Sequence, residues 1–540
     1  RSLQSVKWLA GLLLSTGPFL VSPIVARAQV SAGEIVGTVT DPSGAVLPGV
    51  QIEATHLATN QKFSTTVTAI GNYLLSAIPV GDYRVLAQQT GFKASVTETS
   101  VFTGRTTTVN IQMVLGALSD QVTVKADTAP LLQTTSAEVS TVLERNVIMD
   151  LPVMLNDTSA NASGRRQIEQ FEFLTPGVTG SPFSKSFNGS PDLSQEAIVD
   201  GVPIGNGGGT PGFIAQWTPP YESVQEFKVS SSLYPASEGR GFGITNFTMK
   251  SGTNEFHGDA FYIVNNDKFN ARGFFAAERP AIRQNNFGFT IGGPIKKNKT
   301  FFFGSFERYI LRTGAASRGL VTLPSIPFRS GDFSQLTDPS TGQLIPIYDP
   351  ATTRDDGAGG FTRDPFPGNK IPSARFSVIA QRVIGLLPTP DYPGIVNNWI
   401  DRSESPLFDR VWSLKIDHNF NDKHRVNFSI WDPYSPINPH GPLGRGQLLD
   451  SGDWPNLSNG RCLRFNYEWT PKPNLINHFA FGWSLTGGPR LADVHKGSKI
   501  LQVPGVDPNA PGFTSFNIPG MPEFGDSDQQ PSIPQANHST

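Results

Sequence analysis

Histidines, acidic pairs and glycine-rich turns are where chemistry would sit in this chain. None of the 8 histidines stands in H-x-x-E or H-E-x-x-H, the spacings that hold a hydrolytic zinc ion. His418 and His424 flank the turn in DHNFNDKH. They could pair on a metal, but solvated turn histidines suit the pattern better. Asp332 and Asp349 lack the dense D-x-D-x-D spacing of a calcium loop. Gly239, Gly241 and Gly243 lie in SEGRGFGITNFTMK. A phosphate cradle would need G-K-[ST], and a dinucleotide turn would need a following helix. Here an alternating strand follows. No Ser/His/Asp arrangement can be placed from spacing. Cys462 is the 1 cysteine, so no internal disulfide forms and the residue reads as a strand position without a role. The expectation is no catalytic residue, no metal and no cofactor, hence no enzyme.

Elements with a different purpose must then account for 540 residues. Lys+Arg is 43 against 45 Asp+Glu, which gives no sign of a nucleic-acid partner. Charged residues are only 16%, while Gly (54), Pro (44) and Phe (37) are frequent, favouring strands and long loops. Arg1 and Lys7 precede a mostly apolar Trp8 to Val25, then Ala26-Arg27-Ala28. This reads as an export signal over 1–28, cleaved between Ala28 and Gln29. After residue 30 no apolar run is long enough for a membrane helix.

Residues 29–117 predict a small β-sandwich. Asp41-Pro42-Ser43-Gly44 and Leu47-Pro48-Gly49 are turns between short alternating strands. Tyr73, Leu75 and Ala77 share one face, and Tyr83, Val85 and Ala87 repeat the pattern. GTVTDPSG, LPGVQIEAT and GNYLLSAIPVGDYRV resemble the carboxypeptidase regulatory-like domain, an accessory module in its family. The missing zinc ligands oppose a peptidase.

From residue 254 the strands are longer and widely spaced. Phe287, Phe289 and Ile291 alternate with Asn286, Gly288 and Thr290, and GGPIKKNK turns the chain back into TFFFGSFE. Val426, Phe428 and Ile430 alternate with Asn427 and Ser429. Leu463, Phe465, Tyr467 and Trp469 alternate with Cys462, Arg464, Asn466 and Glu468, and Leu475, Phe479, Phe481 and Trp483 share a face with Asn477. Such strands suit a wall between lipid and a wet lumen, with short turns at one end and long loops at the other. The aromatics are expected to face lipid, and the lysines to sit in a periplasmic turn. Residues 312–408 form one Pro-rich insert, read as an extracellular loop with one helix in SARFSVIAQRVIGLL capped by Ser373.

IVDGVPI and SVQEFKV with YPASEGRGFGITNFTMKSGTNEFHG resemble the plug domain of TonB-dependent outer-membrane receptors, although VMLNDTSANASGRRQ departs from the family's turn after Leu151-Pro152. GGPIKKNKTFFFGSFE, FPGNKIPSARFSVIAQRVIGLLP and LKIDHNFNDKHRVNFS extend the resemblance to the Oar-like branch of these transporters. The fold class is then all-β dominated: an N-terminal β-sandwich (29–117), a small α+β plug domain with its TonB-box segment (118–253), and the first strands of a large antiparallel transmembrane β-barrel (254–540). About seven strands can be counted there, fewer than the family barrel holds, so the chain is expected to be truncated. The resemblance implies uptake of an unidentified ligand by energy-coupled plug rearrangement, with an inner-membrane TonB-type protein and outer-membrane lipid as partners. A structural or adhesive protein on the same scaffold is the alternative.

The resemblance also singles out SDQVTVKAD as a TonB box, carried on Asp120, Gln121, Val122, Thr123, Val124, Lys125 and Ala126. An extended segment with β-branched residues can add to a partner's sheet edge through its backbone. The same residues would suit the plug's first strand or a linker.

Overall fold

The computed structural model of the chain describes residues 32–539 apart from 117–120, 126–136, 152–165, 167, 181–184, 193, 205–217, 235–240, 273, 275–278, 280, 314–319, 339, 401–404, 438–442, 444–448, 450–455, 473–474, 488–496, 508–514, 523 and 525–536. The signal segment, with Ala28 and Gln29, lies outside the described residues, as do the register question after Leu151-Pro152 and Gly239.

Period-2 alternation builds the N-terminal unit. Its strands are β1 (Gly33–Thr40), β2 (Gln51–His56), β3 (Lys62–Thr66), β4 (Asn72–Ile78), β5 (Gly81–Gln88), β6 (Ala94–Val101), β7 (Thr106–Thr108), β8 (Ile111–Gln112) and β9 (Gln121–Lys125). One sheet runs β4-β1-β7 with β8 also on β1, and the other runs β3-β2-β5-β6-β9. Tyr73, Leu75, Ala77, Tyr83, Val85 and Ala87 are all buried, as the alternation requires. Asp41 closes its turn by accepting from the Ser43 and Ala45 amides (2.8 and 3.0 Å). Gly37 admits no side chain, because a Cβ would stand 1.9 Å from the Val109 carbonyl oxygen.

The sandwich takes in more chain than the sequence assigned to it. β9 lies parallel to β6, from Ala94 opposite Gln121 to Glu98 opposite Lys125. Without it β6 would present a row of unpaired backbone groups, and Val122-Thr123-Val124 has the β-branched character that such an edge accepts.

The middle unit contains β10 (Val139–Glu144), β11 (Val178–Gly180), β12 (Lys185–Phe187), β13 (Glu196–Val199), β14 (Val202–Pro203), β15 (Val224–Ser232) and β16 (Ile244–Met249). Its main sheet runs β10-β15-β16-β13-β14. A 3-10 turn over Ile168–Leu174 ends before Pro176-Gly177, and Ile244 opens the strand expected after the glycine-rich turn. Asp200 and Gly201 both have positive φ (47° and 82°), the geometry that a two-residue hairpin between β13 and β14 demands.

The third unit is a sheet of long antiparallel strands: β17 (Ala260–Asn266), β18 (Ile282–Lys296), β19 (Thr300–Thr313), β22 (Ser405–Asn421), β23 (His424–Ile437), β24 (Asn456–Lys472), β25 (Leu475–Gly487) and β26 (Asn537–Ser539). They pair in chain order as an 8-stranded sheet, while β20 (Arg354–Asp355) and β21 (Phe361–Thr362) form a small ribbon in the insert. One surface carries Phe289, Ile291, Phe479 and Phe481, all exposed; the other buries Asn286, Ser305, Glu307, Ser429, Arg464 and Asn466. Among the described residues no helix is long and apolar enough to cross a membrane, and strands of this pattern are what cross instead.

Two expectations change. Phe301 and Phe303 are buried on the inner surface rather than turned to lipid. At that end of β19 the chain leaving β16 packs inside the wall, and the Lys250 ammonium lies 5.4 Å from the Phe303 ring centre. The insert's helix is shorter than expected, Val378–Leu386, and its cap is Ser377, whose hydroxyl accepts from the Ala380 amide (3.0 Å); Ser373 opens a separate 3-10 turn. Leu387 packs with Leu323, Leu443, Leu449, Leu501 and Phe524, so the insert shares a core with later segments.

Candidate functional site

The middle unit is fixed to the inner surface of the wall by charged side chains reaching inward from apolar-alternating strands. Asp200, at the hairpin tip, is the hub. Its carboxylate lies 3.3 Å from Lys415 Nζ and accepts from the Met249 amide (3.0 Å). Its backbone carbonyl accepts from Asn466 Nδ2 (3.0 Å). Lys415 also donates to the Met249 carbonyl (2.9 Å), and Arg464 donates to the Pro203 carbonyl (3.2 Å). A lone buried charge would be strongly disfavoured, so each partner holds the other in place.

A second fastening lies around Arg166. Its guanidinium donates to Glu222 and to Glu307 of β19, each at 3.0 Å, and stacks 4.2 Å from the Tyr221 ring centre. Arg145 also binds Glu222 (2.8 Å). Burial alone would raise the Glu222 carboxyl, but the two guanidinium groups outweigh it and hold it below the usual range. Burial pushes the Lys250 ammonium down to about 8. The middle unit and the wall also share an apolar core, in which Trp431 and Cys462 pack with Phe227, Val229 and Phe247.

Between the hairpin tip, the wall and the sandwich lies a cavity of about 340 Å³. Asp417 Oδ2, Arg425 Nη1, Asn466 Oδ1 and both ring nitrogens of His478 line it with no hydrogen-bond partner among the described residues. These atoms lie just behind the cavity surface, so its lining carries polar capacity that the present packing leaves unused.

The sandwich closes the remaining side through discrete polar contacts. Arg425, paired with Glu468, donates to the Ala77 carbonyl (2.7 Å) and stands 4.9 Å from the Phe63 ring centre. The Thr103 amide donates to the Glu226 carboxylate, Thr103 Oγ1 lies 2.6 Å from Thr248 Oγ1, and Lys228 donates to the Gly104 carbonyl (3.2 Å). Burial pushes the Glu226 carboxyl up to about 6 despite the Thr103 donor.

The residues singled out from sequence fall in several places. Gln121–Lys125 form the sandwich's edge strand β9, while Asp120 and Ala126 lie outside the described residues. His418 and His424 have separate hydrogen-bond partners, the first Thr300 (2.8 Å) and the second Tyr467 (2.7 Å). Asp332 and Asp349 bind Lys370 and Arg375 at 2.7 and 2.6 Å, and hydrogen bonds from Lys370 and Ser334 hold Asp332 down at about 2. No group of three or more metal-binding side chains occurs among the described residues. Asp200, Lys415 and Arg425 went unnoticed in the sequence. A signal was present: the Asp-Gly turn in IVDGVPI, and cations spaced among apolar strand residues.

A wall of apolar-out, polar-in strands with a domain seated on its inner surface defines an outer-membrane β-barrel protein. The match to the outer membrane beta barrel domain over residues 248–540 establishes that the chain belongs to this family and resides in the outer membrane; residues 34–114 match the carboxypeptidase regulatory-like domain. More particularly, the chain is similar to the TonB-dependent transporter Oar of Myxococcus xanthus, at 28% identity over 323 residues, covering 55% of this chain and 29% of that protein. It therefore spans under a third of that relative's length. Solved structures with a likeness are the outer membrane transporter YddB from Escherichia coli (TM-score 0.37, 9% identity, 65% of this chain and 39% of that one) and the siderophore receptor PirA from Pseudomonas aeruginosa (0.36, 12%, 66% and 42%).

Proposed function

We propose that this chain is part of a TonB-dependent outer-membrane transporter whose middle unit is the plug. The observation that carries the reading is the Asp200 hairpin, bound into the wall through Lys415 and Asn466 beside a cavity with a largely polar lining. These contacts are few and polar, so a pull on the hairpin would have to supply the cost of parting one buried ion pair and a few hydrogen bonds. The similarity to a transporter of the Oar type supports the same conclusion. Gln121–Lys125 is the segment that a TonB-type inner-membrane protein would pair with and pull, and the insert with its neighbouring loops would meet the ligand outside.

The test is genetic. A strain lacking the gene is screened for growth on single carbon and metal sources, and the defect is complemented with the full-length gene, wild type or Val122→Pro. Proline removes a backbone donor and restricts Gln121 before it, so strand pairing weakens. Loss of growth and uptake with surface binding of the rescued nutrient retained supports energy-coupled transport. Full complementation by Val122→Pro at equal surface expression would sink the coupling assignment. Binding without uptake by the wild type would favour an adhesive or structural protein.

A further inference from the structure

We propose that the N-terminal sandwich is a gate: it closes the cavity between the middle unit and the wall, and β9 is the handle by which it is drawn aside. The inference rests on the coupling role proposed above for Gln121–Lys125.

The three units are not held alike. The middle unit and the wall share one apolar core, to which the wall contributes Trp431 and Cys462. The sandwich's core, around Ile35, Val39, Tyr83 and Val85, contains no residue of either neighbour. Its attachments are separate hydrogen bonds, most of them to its own backbone: Thr103 to Glu226, Gly104 to Lys228, Ala77 to Arg425, and the Ala58 carbonyl to the Asn254 amide (2.9 Å). Three further contacts join side chains: Asn60 to Asn298 (3.1 Å), Thr103 to Thr248 (2.6 Å) and the Arg425 guanidinium to the Phe63 ring (4.9 Å). Water can replace each of these when the sandwich lifts, and no shared apolar core is broken. The sandwich is thus the unit built to separate.

Its position makes the separation consequential. His56 and Gln61 of the sandwich line the cavity opposite Asp200 and Thr248 of the middle unit and Lys415 and His478 of the wall. Lifting the sandwich opens that chamber, and with it the hairpin that fastens the middle unit. β9 supplies the linkage. It is paired with β6 from Ala94 to Glu98, so tension on Gln121–Lys125 loads these backbone bonds and, through them, the sandwich. A partner that pulls the segment therefore pulls on the gate.

The experiment uses the full-length gene product in cells, with Thr248→Cys as reporter in a Cys462→Ala background. Thr248 is 8% exposed and lies directly under Thr103 of the sandwich, so its thiol reacts only when that contact opens. The probe is a small cationic methanethiosulfonate, with labelling of residue 248 read by peptide mass spectrometry. Labelling is expected to be slow in uncoupler-treated cells and about tenfold faster in energised ones, the signature of an opening equilibrium shifted by force. Ala58→Trp, a wedge on an exposed sandwich turn, should raise labelling without energy. Asn60→Cys and Asn298→Cys, bridged through disulfides by a short bis-methanethiosulfonate, should abolish the energised rise, and reductant should restore it. An energised rise that survives the disulfide overturns the gate while leaving the coupling role intact. Acceleration by the wedge with no response to energy supports the gate and defeats the coupling role instead. Labelling insensitive to wedge, disulfide and energy overturns the gate.

Discussion

Replacing Glu226 by glutamine should make the fastening between sandwich and middle unit stronger at neutral pH and remove its pH dependence. Glu226 is buried and accepts the Thr103 amide, and burial raises its carboxyl from 4.5 to about 6. A group whose pKa is raised in the docked state holds its proton more tightly there. Docking is therefore favoured at low pH and weakens as pH rises from about 4.5 through 6, where the docked state must accept a buried charge. At about 1.36 kcal/mol per pH unit, the whole shift corresponds to about 2 kcal/mol, the ceiling on the docking free energy lost by pH 7.5. It is a ceiling because the Thr103 donor and the Arg105 guanidinium of the sandwich favour the charged form. The substituted amide would keep a carbonyl to accept from Thr103 but would never ionise. The assay is hydrogen exchange at the Thr103 amide in the intact protein, corrected for the intrinsic rate, between about pH 5 and pH 7.5. Wild-type protection should fall by roughly fivefold to tenfold across that range, and Glu226→Gln should stay level. Equal slopes in the two proteins, or wild-type protection that rises with pH, would refute the reasoning.

Asp200→Ala strands Lys415 without its carboxylate and should cost about 3–5 kcal/mol, read as a lower urea midpoint for exposure of the middle unit to protease. Gly37→Ala drives a methyl into the Val109 carbonyl and should cost about 3 kcal/mol or more, removing the cooperative melting of the sandwich in circular dichroism. The sandwich is expected to fold alone, and a fragment spanning 32–127 should melt about 5–10 °C above one spanning 32–117. β9 adds a strand of paired residues at about 0.2–1 kcal/mol each. No cooperative transition in either fragment would deny its independence.

Much of the fold was legible because alternation is local. The buried faces of Tyr73, Leu75 and Ala77 and of Tyr83, Val85 and Ala87 follow from period 2 and nearby turns. The polar row Arg464, Asn466 and Glu468 announced an inner surface for the same reason, although its partner, the β13–β14 hairpin, did not appear in that pattern. The fastenings were not legible, since they join residues far apart: Lys415 meets Asp200 across 215 positions, and Arg425 meets Ala77 across 348. The pairing of β9 with β6 was hidden on similar grounds. The segment's composition declares a strand, but nothing local names β6 as its neighbour. Phe301 and Phe303 look like lipid-facing aromatics until the chain leaving β16 is packed over them.

The balance of forces at the wall limits what kind of motion transport could involve. Trp431 is fully buried against the middle unit, and exposing an aromatic that covers about 150–250 Å² would cost roughly 4–6 kcal/mol. The contacts of Asp200 differ in kind. The Ser429 hydroxyl lies 3.4 Å from the same carboxylate that Lys415 and the Met249 amide hold, so a small shift of the hairpin tip exchanges hydrogen bonds rather than abandoning them all. A pull of modest work would therefore rearrange the β13–β14 hairpin around its cavity long before it drew the middle unit off Trp431. On this reasoning the proposed transport path would open beside a middle unit that stays seated, beginning at the chamber under the sandwich.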